Sequence, residues 1–153
     1  TLAGIAFIES HHGTYGGAEV FSDGTTSQKI RGVQLDGTNN TQRIQDTDRG
    51  VWDGNSHYDV AMGPFQFIPE TWRLFGVDAN GDGRVSPDNI DDAAVAAGRY
   101  LCFNRRDLAV PREWQQAILS YNRSMKYVKA VYRAAYAYGE GWQPRWNYLA
   151  KQF

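Results

Sequence analysis

One carboxylate sits where an ordinary glutamate does not belong. In the opening stretch LAGIAFIES, Leu2, Ile5, Ala6 and Glu9 fall at i, i+3, i+4 and i+7, which puts Glu9 on the apolar face of a first helix. Burial there takes water from the charged form, raises the pKa and keeps a proton on the carboxyl near neutral pH, as a general acid requires. The plainer alternative is a glutamate at a helix end, paired with an arginine or capped by backbone, since structural ion pairs also perturb pKa values.

The stretch YDVAMGPFQFIPETWRLFGVDANGDGRVSPDNIDD, Tyr58 to Asp92, holds two further signals. Gly63 and Pro64 interrupt regular structure just before Phe65-Gln66-Phe67, so a polar Gln66 stands between large apolar side chains on a sharply turned backbone, aimed at a partner or ligand. Beyond Gly76, Asp78, Asn80 and Asp82 alternate as oxygen donors, Gly83 permits a tight turn, and Arg84 can offer its carbonyl, which is the opening half of a calcium loop. The closing half is irregular, with Asn89 at the twelfth position in place of glutamate; Asp88, Asp91 and Asp92 lie near enough to supply the carboxylate. The alternative is an Asx- and Gly-rich turn that binds nothing.

These residues need elements to hold them. Pro69 suits a helix start, Glu70 its positive end, and Gly76 its close. Ile90, Ala94, Ala97 and Leu101 form the stripe of a central helix, where the alanines and Gly98 allow close approach of another helix. Pro111 opens a helix with Trp114, Ala117, Ile118 and Tyr121 on one face, ended by Tyr121-Asn122. Ser124 caps another that carries Tyr127, Val128, Val131, Tyr132 and Ala135, a tyrosine stripe read as core. Pro144 starts a last segment in which Trp146, Leu149 and Phe153 dock the C-terminus.

Between the first helix, ended by Gly13, Gly16 and Gly17, and the Gly63 turn lies a long polar segment, Thr14 to Asp59, read as loops. KIRGVQLDG alternates enough for one strand, with a turn at Asp36-Gly37. A loop of this length in a compact chain is functional or ordered by what it covers. Its Asp46, Asp48, Asp53 and Asp59 suit turns and caps before any site. Adjacent His11 and His12 point in different directions from a helix and lack metal spacing.

The chain has 153 residues, enough for one domain with a real core, and a net charge of -1, so no basic footprint for nucleic acid or an anionic membrane. No apolar run reaches the ~18 residues of a membrane span. The chain starts inside a helix, as a trimmed chain would, so the lack of a leader pattern says nothing of compartment. The single Cys102 cannot form an internal disulfide and is expected to be buried and inert. Five Trp, nine Tyr and seven Phe suit a core plus a groove that stacks rings.

Taken together, Glu9-Ser10 at a helix end, AMGPFQFIP from Ala61 to Pro69, the calcium-like loop, Tyr100, and Tyr121-Asn122-Arg123-Ser124 followed by Tyr127 resemble the lytic murein transglycosylases of the membrane-bound B type, most closely their actinobacterial branch. The segment from Thr14 to Asp59 departs from the Gram-negative members. The resemblance implies a mainly α, lysozyme-like domain over residues 1–153, with a long irregular region and a single EF-hand-like calcium loop. It implies cleavage of peptidoglycan glycan strands outside the cytoplasmic membrane by an exported monomer. Residue by residue, it implies that Glu9 is the catalytic acid and base, and that Gln66, Tyr100, Tyr121, Asn122 and Tyr127 line the sugar groove. It further implies that Asp78, Asn80, Asp82, the Arg84 carbonyl and Asp92 hold calcium. Against this stand a lysozyme-type hydrolase with a second carboxylate such as Asp48 or Asp59, a calcium-dependent regulatory module, and a non-catalytic peptidoglycan binder.

Overall fold

The computed structural model describes residues 1–39 and 41–141. Its helices are α1 (Leu2–Ser10), α2 (Pro69–Phe75), α3 (Ile90–Leu101), α4 (Pro111–Tyr121) and α5 (Met125–Gly139), with strands β1 (Arg31–Gln34) and β2 (Val60–Met62) between α1 and α2. The docking segment expected from Pro144 lies outside the described residues.

The helices start and stop for local reasons. Pro69 and Pro111 occupy the first turns of α2 and α4, where a missing N–H costs nothing. The Asn89 side chain accepts the Asp91 and Asp92 amides and caps α3, while Ser124 Oγ accepts the Tyr127 amide and caps α5. The first helix is ended by His11, not by the glycines after it. His11 takes the left-handed conformation at φ 52°, and the amides of His11 and His12 turn back to the carbonyls of Phe7 and Ala6.

One apolar cluster draws on every helix: Ile5 and Ala6 of α1, Trp72 of α2, Ala93, Ala97 and Leu101 of α3, Ile118 of α4, and Tyr127, Val128 and Val131 of α5. The alanines of α3 bring it close to its neighbours, as the stripe predicts, but Gly98 does not: a Cβ there would meet only Leu2 Cδ1 at 3.9 Å. The close approach lies between α1 and α5. A Cβ on Gly4 would come within 2.9 Å of the Val131 carbonyl oxygen and 3.0 Å of the Ala135 amide nitrogen. Two core expectations fail because the helix turns the residue outward: Tyr132 is 58% exposed, and Cys102, just past the last turn of α3, is exposed. No helix among the described residues is long and apolar enough to cross a membrane.

The long polar segment is ordered without much regular structure. The predicted strand appears as β1, but it pairs antiparallel with β2, far along the chain, through an irregular register. Beside it, three backbone hydrogen bonds close a ring: Ile44 N–H donates to Leu35 O, Leu35 N–H to Asp59 O, and Asp59 N–H to Ile44 O. The aspartates make the turns expected of them. Asp36 accepts from Thr38, Asp46 from Asp48 and Gly50, Asp48 from Gly50 and Trp52, and Asp53 from Asn55 and Val60.

Filling the α1–α5 contact should be costly although Gly normally weakens a helix. Gly4→Val is expected to lower stability by about 1–3 kcal/mol through overpacking. That corresponds to a fall in melting temperature on the order of 5 °C for a domain of this size, whereas Gly98→Ala should leave the melting curve unchanged or raise it.

Candidate active site

Glu9 lines a cleft of about 590 Å³. One wall is helical, made by Tyr100 of α3 and by Ser120, Tyr121, Asn122, Arg123 and Ser124 where α4 turns into α5. The facing wall comes from the irregular segment, through Leu35, Thr41, Gln42 and Ile44, and the floor carries Gln66, Phe67, Ile68 and Thr71. Sequence reasoning assigned nothing in the facing wall. The backbone ring that joins Leu35, Ile44 and Asp59 is what holds two of its apolar side chains side by side, and such a ring has no periodicity to read.

The turn Gly63-Pro64-Phe65-Gln66 organises the floor. Met62 and Phe67 close it by exchanging two backbone hydrogen bonds of 2.9 and 3.0 Å. Gly63 sits at φ 71°, and a Cβ there would stand 1.7 Å from the Pro87 carbonyl oxygen, so the turn needs glycine for both its conformation and its contact. Its three successive carbonyls each accept a side-chain donor: Gly63 from Gln66 Nε2 at 2.9 Å, Pro64 from Ser10 Oγ at 2.6 Å, and Phe65 from the Tyr121 hydroxyl at 2.6 Å. Gln66 is a non-glycine residue at φ 52°, held there by its own side chain while it borders the cleft.

Beneath this turn the tyrosines surround the acid. The Tyr127 hydroxyl donates to Glu9 Oε1 at 2.5 Å, and the Tyr121 ring stacks over Tyr127 with centroids 6.5 Å apart. Loss of solvent raises the Glu9 pKa to about 7, against the pull of the Tyr127 hydrogen bond, which favours the charged form. Burial and the nearby Glu9 carboxylate push both tyrosine hydroxyls well above their ordinary range, so they act as donors. Tyr100 donates its hydroxyl to the Ser120 carbonyl at 2.7 Å and packs edge-on against Tyr121.

Most of the predicted groove is thus brought together: Glu9, Gln66, Tyr100, Tyr121 and Asn122 border one cleft. Tyr127 is different. It is 6% exposed and lies under Glu9 instead of on the wall, because its place on α5 faces α1. Neither Asp48 nor Asp59 is among the cleft residues, and the buried Asp59 gives both oxygens to Thr47. His12 Nε2 meets the Tyr138 hydroxyl at 2.5 Å, and no histidine joins an acidic cluster among the described residues.

The 78–92 loop lies apart from the cleft. Asp78 accepts from the Gly81, Asp82 and Gly83 amides, Asn80 from Asp82, and Asp82 from Arg84. Asp92, 1% exposed, accepts from Ala79 at 2.7 Å and from Ser86 at 2.9 Å, so it ties the two ends of the loop together. Asn89 is engaged in capping α3, and Asp88 in an ion pair with Arg31 at 2.6 Å. The acidic side chains that gather most tightly are elsewhere, with oxygens of Asp46, Asp48 and Asp59 within 4.8 Å of one another.

The family model described as Transglycosylase SLT domain matches residues 34–115, more than half of the chain. The chain belongs to the transglycosylase SLT family. The matched span takes in the irregular cleft wall, Gln66, the 78–92 loop and Tyr100, while Glu9, Tyr121, Asn122 and Tyr127 fall outside it. No curated protein and no solved structure matches the chain. Membership in the SLT family gives the activity class, lytic transglycosylase action on peptidoglycan, and with it a place of action at the cell wall or in the periplasm; the mainly helical fold is consistent with it.

The acid's environment makes a signed prediction. With a folded pKa near 7 and an unfolded value near 4.5, Glu9 binds its proton more tightly in the native state. Its contribution to stability is therefore full at low pH and is lost as pH rises between those values. The melting temperature of Glu9→Gln, relative to the parent protein, should rise as pH goes from 5 to 8. Tyr127→Phe removes the bond that favours the carboxylate, so an NMR titration of Glu9 should move to higher pH.

Proposed function

We propose that the chain cleaves the β-1,4 bond between N-acetylmuramic acid and N-acetylglucosamine, with Glu9 as the only catalytic carboxylate and 1,6-anhydromuramic acid as the product end. The observation that carries this reading is the composition of the cleft: Glu9 is its only acidic side chain among the described residues. A glycoside hydrolase of either stereochemistry ordinarily needs two carboxyl groups flanking the scissile bond, one of them to activate water or to attack the sugar. A transglycosylase needs one, because the nucleophile is the substrate's own C6 hydroxyl.

In this mechanism Tyr127 holds Oε1, and the acidic proton sits on Oε2. Glu9, half-protonated near neutral pH, gives that proton to the glycosidic oxygen as the C1–O bond breaks. The resulting carboxylate then takes the proton of the C6 hydroxyl as that oxygen bonds to C1. Protons balance and no water is consumed. The Tyr127 hydrogen bond strengthens as Glu9 becomes charged, which stabilises the enzyme between the two transfers. Gln66 and Asn122 offer amide groups suited to N-acetyl and hydroxyl groups, and Tyr100 and Tyr121 offer ring surface for sugars.

Digestion of purified peptidoglycan should release fragments lighter by one water than lysozyme products. Glu9→Gln should lose on the order of 10²-fold or more in rate, the range of general acid–base catalysis, and stay folded. Fragments ending mainly in reducing muramic acid would replace this reading with a hydrolase that uses a second carboxylate.

We also propose that Asp78, Asn80, Asp82, the Arg84 carbonyl and Asp92 hold a structural calcium ion, as an exported cell-wall enzyme with a hard-oxygen loop would. Support comes from the charges. None of Asp78, Asp82 and Asp92 has a basic partner among the described ion pairs, and Asp92 is buried. A buried carboxylate without a cation is costly, and an ion that binds only the folded state offsets that cost. Chelation should lower the melting temperature, and saturation at about 100 times Kd should restore about 2.7 kcal/mol; identical melting curves with and without calcium would remove the proposal.

A further inference from the structure

Gly32, in β1, is a glycine that its own strand does not call for. Its φ lies outside the left-handed region, so other residues could take this backbone, and glycine in a strand gives up side-chain packing and costs ordering entropy. It is also exposed, so no buried core excludes a larger side chain. What a Cβ at position 32 would meet is the amide of Gln66, with Oε1 at 2.9 Å, and then Ala61 Cβ at 3.3 Å.

The backbone around Gly32 is held on both sides. Arg31 pairs with Met62 and Gln34 with Val60, so Gly32 and Val33 together face Ala61 alone, a β-bulge in the strand pair that leads into the Gly63 turn. The Arg31 guanidinium donates to Asp88 and to the Trp52 carbonyl, and the Gln34 side chain accepts from Asn55. A side chain at position 32 would therefore displace the free end of Gln66 before it moved the strand. The orientation of that amide follows from its partner. The Gly63 carbonyl can only accept, so Gln66 turns Nε2 toward it, and Oε1 is left without a hydrogen bond among the described residues. An acceptor thus stands on the floor of the cleft, in the room that the missing side chain leaves.

We propose that Gly32 is a positioning residue: its lack of a side chain lets Gln66 hold Gly63 through Nε2 while it offers Oε1 to a hydrogen-bond donor on the bound sugar. The inference rests on the reading of Gln66 as a substrate residue and adds what keeps it in place. Gly32 touches no reacting atom and acts only through Gln66.

The test compares Gly32→Ala, Gln66→Ala and the double variant, each in the full chain carrying Glu9→Gln, without ligand and with soluble glycan strands. Without ligand, the Gln66 side-chain amide signals in a nitrogen–proton NMR spectrum, assigned by their absence from Gln66→Ala, should move in Gly32→Ala. The melting temperature should stay within about 2 °C of the parent, because the atom displaced is the end of a flexible side chain. Unmoved amide signals overturn the inference, and so does a larger fall in melting temperature that Gln66→Ala does not relieve. In equilibrium binding, Gly32→Ala should weaken the affinity for strands about fivefold, in the range of one neutral hydrogen bond. Gln66→Ala should weaken it at least as much, and the double variant should bind as Gln66→Ala does. Losses that multiply in the double variant give Gly32 a role of its own and overturn the inference. If Gln66→Ala binds strands as tightly as its parent, the reading of Gln66 as a substrate residue falls and the offered acceptor with it, a result obtained with Gly32 intact and so distinct from a failure at Gly32.

Discussion

Three carbonyl groups in a row, those of Gly63, Pro64 and Phe65, point into the protein from a turn that is almost wholly buried, and each must find a donor. The donors come from Gln66 of the turn itself, from Ser10 at the end of α1 and from Tyr121 at the end of α4. Satisfying this backbone fixes the residue next to the acid, one wall of the cleft and the polar group on its floor together. The Gly63 amide adds a fourth attachment by donating to Ile30, just before β1. A buried group left without its partner costs about 1–3 kcal/mol, so the four ties act as one arrangement and not as independent contacts.

That arrangement explains why Glu9 can be both buried and useful. A carboxyl deprived of water holds its proton, and one that accepts a hydrogen bond releases it more readily; in Glu9 the balance falls at about 7, with desolvation ahead and Tyr127 pulling back. Tyr121 can neither ionise nor turn away, because its hydroxyl is committed to Phe65. Its ring shields Tyr127, and Tyr127 orients the acid.

Helices were legible because their signals are local. Pro69, Pro111 and Ser124 mark starts, and the spacing of Ile90, Ala97 and Leu101 marks a buried face. The apolar-face position of Glu9 was legible for the same reason. What the spacing does not encode is how far a helix rotates against its neighbours. Tyr132 and Cys102 face outward on that account where the spacing predicts core, and the close helix contact lies at Gly4 and not at Gly98, with its partner backbone more than a hundred residues away. Tyr127, expected on the groove, lies beneath the acid instead, and that place depends on the α1–α5 approach and cannot be read from α5 alone.

The irregular wall shows the deeper limit. Leu35 and Ile44 stand together because both backbones bond to each other and to Asp59, and Asp59 in turn anchors Thr47 through its carboxylate. None of these bonds repeats along the chain, so no period or motif announces them. The same segment carries β1, and β1 pairs with the strand that leads into the Gly63 turn. The wall is therefore coupled to the acid through β2 and the Ser10 bond, without touching Glu9. A segment that reads as irregular loop in composition can be as firmly positioned as a helix when its aspartates spend their oxygens on backbone amides. Among the described residues, that expenditure keeps the aspartates of this segment on backbone amides, and Glu9 is the one carboxylate that lines the cleft.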